Sequence, residues 1–148
     1  MDEYIAHRFE SDLSNDRSKD NSLKWVEDVS SKAENWAGLV QNYSILPPLV
    51  SLLGTSQLTS DVRKVLQIFK NLCSDKHNLD VIFRCDPPIL GVLPHVIMSS
   101  DRKSRILACE LIHTMSSYPE YQLHMTSPEF EVLSSLINII AEQSDESR

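Results

Sequence analysis

The chain has 148 residues, 41% of them hydrophobic and 24% charged, with 14 Lys and Arg against 21 Asp and Glu for a formal net charge of −7; a single domain of that length buries roughly two-thirds of its unfolded surface. Its three glycines, Gly38, Gly54 and Gly91, are too scattered for a dinucleotide turn or a phosphate loop, and the acidic total speaks against nucleic acid, whose binding needs Lys and Arg to displace counterions. No apolar run approaches the roughly 20 residues of a membrane span and the first residues hold no signal-peptide core, so a cytoplasmic protein is expected, with the nucleus left open.

Residues 1–21 read as a flexible lead-in, because the polar stretch 14–22 buries too little apolar surface to offset ordering. Within it Ile5, Phe9 and Leu13 share one helical face, that of a frayed helix or of a short linear motif for a partner. A helical domain is expected over 22–142 and a flexible tail over 143–148. Val26, Val29, Ala33, Trp36 and Val40 follow 3-4-3-4 spacing, which predicts one long helix over 23–42, stopping near Tyr43 and Ser44 ahead of Pro47 and Pro48. Pro48 opens a helix through Leu53 that Gly54 ends in a left-handed cap. Ser60 or Asp61 caps the next, which runs to about Cys73 with Val62, Val65, Leu66, Phe69 and Leu72 inward. A short piece around Leu79–Phe83 follows. The order then recurs: an apolar helix over 89–98, a longer one from Ser100 or Asp101 to about Met115, a short piece near Leu123, and a last helix from Ser127-Pro128 to about Ala141. No segment alternates with a period of two, so no β-sheet is predicted.

The recurrence has a register. A shift of 43 sets Val65 on Ala108, Leu66 on Cys109, Phe69 on Ile112 and Leu72 on Met115. A shift of 44 sets Leu49, Leu52 and Leu53 on Leu93, Val96 and Ile97, and Leu79 on Leu123. A further 43 carries Leu93, Val96 and Ile97 onto Leu136, Ile139 and Ile140. A period in the low forties with two or three helices per unit is that of helical solenoids.

The stretch Ile45-Leu46-Pro47-Pro48-Leu49-Val50-Ser51-Leu52-Leu53, the run Phe69-Lys70-Asn71-Leu72-Cys73 and the run Asn78-Leu79-Asp80-Val81-Ile82 resemble the armadillo repeat, whose helices read G-I-P-P-L-V-x-L-L, A-L-x-N-L-S and N-x-x-x-I. The resemblance covers roughly residues 45–141, two units and a fraction. It implies an all-α fold, a right-handed solenoid of armadillo-like repeats, whose third helices line a concave surface that binds proteins or peptides. In armadillo importins that surface carries a Trp and, four residues on, an Asn; here Gln67 stands at the Trp position and Asn71 at the Asn position, with Glu110 and Thr114 one unit later. The import ladder is therefore missing. Asn71 reads either as a groove residue or as a side chain that caps backbone near the helix end.

Charge is uneven along the chain. Residues 61–105 hold five acids and eight bases, whereas 106–148 hold seven acids and one base. Arg63, Lys64 and Lys70 lie on the polar side of one long helix and Arg102, Lys103 and Arg105 begin the other. The bland reading is a solvated face; the sharper one is a patch for an acidic or phosphorylated protein segment. The expected partner-binding set is thus Arg63, Lys64, Gln67, Lys70, Asn71, Arg102, Lys103, Glu110 and Thr114.

Chemistry is otherwise sparse. Cys73, Cys85 and Cys109 lack CxxC spacing, and the pairs Cys73/His77 and Cys109/His113 have no companions to complete a zinc site. Cys109 aligns with an inward position and reads as a small buried hydrophobe. Glu129 and Glu131 read as first-turn acids of the last helix. No enzyme, metal or cofactor is expected. Trp36 reads as core, and Trp25, off the stripe, either packs over the N-terminal end of the long helix or stands exposed and marks an interface. The last helix has apolar residues on more than one face, as for a neighbour: the chain continues as the N-terminal part of a larger protein, joins a second copy end to end, or is capped by a partner. The leading expectation is a non-enzymatic adaptor; the alternatives are a self-association module of a cytoskeletal or centrosomal protein and a trafficking adaptor of the VHS/ENTH kind, which would bind anionic lipid near Lys103.

Overall fold

The first helix, α1 (Asp16–Ser30), begins inside the stretch expected to be flexible; the structure, a computed structural model, describes residues 12, 15–36, 38–42, 45–56, 58–85, 88–99, 101–127 and 130–146. What holds these polar residues is charge from far along the chain. Lys19 reaches the buried carboxylate of Asp61 at 3.0 Å, and Lys64 pairs with Asp20. The hydroxyls of Ser18 and Ser22 donate to Asp12. Leu23, Val26 and Ser30 form the buried face of α1.

The single helix expected over 23–42 breaks after Ser30. Side chains take the carbonyls that a continuing helix would have used: Ser30 Oγ donates to Glu27 O at 3.0 Å, Ser31 Oγ to Asp28 O at 2.6 Å, Asn35 Nδ2 to Val29 O at 3.1 Å and Trp36 Nε1 to Ser30 O at 2.7 Å. With its end groups satisfied, α1 stops. The chain crosses a 3-10 turn (Ala33–Asn35) and a π-helical turn (Gly38–Asn42) that buries Leu39 and Val40.

Helix α2 (Leu46–Thr55) carries Pro47 and Pro48 in its first turn, where a missing N–H is harmless. Gly54 lies within α2 rather than in a left-handed cap, and no described glycine has positive φ. A Cβ at Gly54 would stand 3.2 Å from Val92 Cγ1, so close approach of the neighbouring helix accounts for it. Helix α3 (Thr59–Leu72) follows. Its N-cap is Leu58 rather than Ser60 or Asp61, whose carboxylate is occupied by Lys19. Asp75 caps α4 (Lys76–Phe83), accepting from the N–H groups of His77 and Asn78. Then come α5 (Ile89–Ile97), α6 (Arg102–Ser116), capped by Asp101 through the N–H of Ser104, and α7 (Pro119–Met125). The last helix, α8 (Val132–Glu146), starts after Pro128 and runs past residue 143. Glu131, expected in its first turn, precedes it at φ 58°, with its carbonyl accepting from Ser134 and Ser135. The Ile5/Phe9/Leu13 face, the stop at Tyr43–Ser44, Ser100, Pro128 and Glu129 lie outside the described residues.

The described residues are helical, with no strand among them. They form two rows. α3 packs between α1 and α6 in one row; α5 packs between α2 and α8 in the other. The rows meet through α2 against α3 and α5 against α6. The ion pairs give direction: the start of α1 (Lys19, Asp20) meets the start of α3 (Asp61, Lys64), and Arg63 near the start of α3 meets Asp101 at the start of α6. α1, α3 and α6 therefore run parallel. Leu49, Leu53, Val65, Leu66, Phe69, Leu72, Leu93, Ile97 and Ala108 are among the buried residues of the core.

Candidate functional site

The polar faces of α3 and α6 carry the expected partner-binding residues, and the structure divides them. Lys64 and Asn71 reach α1, and Gln67 bonds to Asn71. Asn71 Nδ2 donates to Ser30 Oγ at 3.1 Å and to Glu27 O at 3.5 Å, and its Oδ1 accepts from Gln67 Nε2 at 3.0 Å. Asn71 thus secures the end of a neighbouring helix, which is neither an open groove position nor a cap on its own helix. Lys64 is engaged by Asp20. Arg63 grips Asp101 with two bonds, Nε to Oδ2 at 2.8 Å and Nη2 to Oδ1 at 2.5 Å. This guanidinium, with the Ser104 hydroxyl, holds the Asp101 carboxyl well below the usual carboxylate range. Lys70 pairs with Glu110 across the α3–α6 seam at 2.7 Å. The basic charge of α3 is largely spent inside the molecule.

The other residues meet at a groove of about 630 Å³ on the far side of α6, where Lys70, Arg102, Glu110 and Thr114 come together. Lys103 is exposed on α6 but does not line it. Five lining residues were not in the expected set: Arg105, Ile106, Cys109 and His113 of α6, and Ile139 of α8. The signal that reaches them is the register shift, since Ile139 aligns with Val96 and Cys109 with Leu66. Cys109 is half-buried rather than buried, because no described helix covers this side of α6 as α6 covers α3. Partial burial still raises its thiol pKa, against the opposing pull of Arg105. Cys73, enclosed in the core, is pushed up to about 12, which leaves it inert as a nucleophile at neutral pH.

Physically the groove is an apolar trough with a basic rim. Ile106 and Ile139 supply carbon surface, and on the same helix as Ile139 the side chains of Leu133, Ile137 and Ile140 stand exposed. Lys70 and Glu110 cancel each other, which leaves Arg102 and Arg105 as the net charge at one end. Compared with protein-family models, curated proteins and solved structures, the chain finds no match.

A second cavity, about 420 Å³, lies beside α4, α5 and α7. Phe83 stacks on Tyr121 at 4.3 Å between centroids, His124 tilts against Phe83 at 5.4 Å, and the Tyr118 edge meets Tyr121 at 5.9 Å. Lys76 sits over the Tyr118 ring and pairs with Glu120 at 2.6 Å. The aromatic faces are therefore occupied by one another. No three potential metal-ligating side chains gather among the described residues, and none of their helices is long and apolar enough to cross a membrane.

Proposed function

We propose that this protein is a non-enzymatic interaction module of the cytoplasm, an armadillo-like helical repeat that holds a segment of another protein in the groove between α6 and α8. One observation carries the reading: an apolar trough with a basic end, on a face that no described helix covers. Contiguous exposed apolar surface rimmed by polar groups marks interaction sites in soluble proteins. The two-row packing and the register of 43 to 44 residues support the repeat reading. The arrangement differs from the binding surface that the armadillo resemblance implies, because α1 lies over Gln67 and Asn71, and the site moves to the next helix.

A second reading rests on α8 alone. Leu133, Ile137 and Ile140 recur at helical spacing, and exposed apolar stripes of this kind also join identical subunits. Photo-crosslinking separates the two. A benzophenone amino acid at Ile106 is expected to give discrete adducts with another protein in cells, while the same probe at exposed Lys32 gives none. Adducts of the chain with itself would favour self-association. Absence of any adduct specific to position 106 would refute the groove reading, and a chain that stays monomeric at high concentration would refute self-association.

A further inference from the structure

The two inner helices α3 and α6 lie in seats of the same construction. α3 rests against α1 and α2; α6 rests against α3 and α5. The groove between α6 and α8 is walled by the next pair in the same two rows.

Aligned positions show what a filled seat does to its walls. Leu53 in α2 and Ile97 in α5 are 1% and 0% exposed, but their counterpart in α8, Ile140, is 63% exposed. Leu66 in α3 is fully buried and its counterpart Cys109 in α6 is not. The chemistry of each residue suits burial, so the difference comes from the neighbour.

The seats also share an electrostatic latch. Each incoming helix brings an Asp at its start to a base in the first turns of the helix before it: Asp61 to Lys19 at 3.0 Å, and Asp101 to Arg63 at 2.8 Å. Lys19 is the fourth residue of α1 and Arg63 the fifth of α3. The fourth residue of α6 is Arg105, one place before the position that a shift of 43 gives Arg63; it lines the groove, donates to the Ser99 carbonyl at 3.4 Å, and has no carboxylate partner among the described residues. Arg102 stands beside it on the same rim.

We infer that the α6–α8 groove seats an amphipathic helix of a partner protein, about four turns long and parallel to α6, with an Asp or Glu in its first turn facing Arg105. This rests on the interaction-module reading above and gives its partner a chemistry. A second copy of the chain fits less well. Its most exposed apolar helix, α8, has no acid in its first turn, and the acid that precedes it, Glu131, stands on left-handed backbone at φ 58° rather than on the extended backbone that carries Asp101 ahead of α6.

The test is selection from a displayed library of random 18-residue peptides, with the whole chain as bait and its Ile140→Glu variant as counter-bait. Ile140 is exposed, so the variant is expected to fold as the parent does. The expected winners carry apolar residues at i, i+3, i+4 and i+7 and an acid at the N-terminal end, and turn helical on binding. Arg105→Glu should weaken a synthetic winner about tenfold, and Lys in place of its N-terminal acid should restore affinity to the variant. Winners that need Ile140 but are basic, or extended and proline-rich, overturn the inference and leave the interaction module standing. No Ile140-dependent winner overturns both. A dimer of the chain alone in sedimentation equilibrium, split to monomers by Ile140→Glu, gives the groove to a second copy and overturns the inference.

Discussion

The seam between α1 and α3 and the groove between α6 and α8 are made of the same materials and end in opposite states. At the seam, charges are paired and the ends of α1 and α3 are tied together by Asn71 and Ser30. At the groove, similar apolar positions and similarly placed bases face outward. The contrast teaches that burial in a row of helices belongs to the pair, not to the residue: Leu79 in α4 is fully buried, and its counterpart Leu123 in α7 is 77% exposed. Whether an aligned position is core or surface depends on the next helix in the row.

Mutation of aligned residues is the strongest way to break this comparison. Leu53→Ala removes a fully buried side chain and is expected to lower stability by about 2–5 kcal/mol, whereas Ile140→Ala at the corresponding exposed site should change it by less than about 0.5 kcal/mol. Denaturant unfolding of the two variants measures both; equal losses would mean that the α8 face is covered.

A smaller effect is expected where α1 ends. Trp36→Phe deletes the indole N–H that donates to Ser30 O, and Asn71→Ala deletes the amide that holds Ser30 Oγ. Each should cost about 1 kcal/mol in the same assay. Stability unchanged by both substitutions would show that these bonds do not hold the break after Ser30.

The smallest effect is on acid stability. Lys64, Arg63 and Lys76 hold the carboxyls of Asp20, Asp101 and Glu120 below their ordinary values in the folded chain. Groups depressed in this way add stability above the unfolded carboxylate range, near pH 4, and lose it as pH falls further. The unfolding midpoint should therefore drop below about pH 4, and Asp101→Asn should flatten that drop. A variant with the parent's pH profile would remove Asp101 from the account.

Much of the helix order was legible because punctuation is local. Asp101 caps the helix that follows it, and Pro47-Pro48 opens another, as their residue types dictate. The failures were non-local. The start of α1 depends on Asp61 and Lys64, more than forty positions away in the chain, and its end depends on Asn35 and Trp36 folding back on carbonyls that periodicity alone assigns to a continuing helix. The same holds for the site. Lys70, Arg102, Glu110 and Thr114 could be placed together from helical spacing, but the role of Asn71 follows from α1 lying over it. Nothing local to Leu66 and Cys109 tells which will be covered.

Those two aligned positions, with Cys73 as an internal standard, allow the central claim to be measured directly. Alkylation of the native chain at neutral pH, with each cysteine followed by peptide mass spectrometry, should modify Cys109 without unfolding, while Cys73 reacts only when the whole domain opens. Protection of Cys109 equal to that of Cys73 would show that the α6–α8 side is closed like the α1–α3 seam, and would contradict the account.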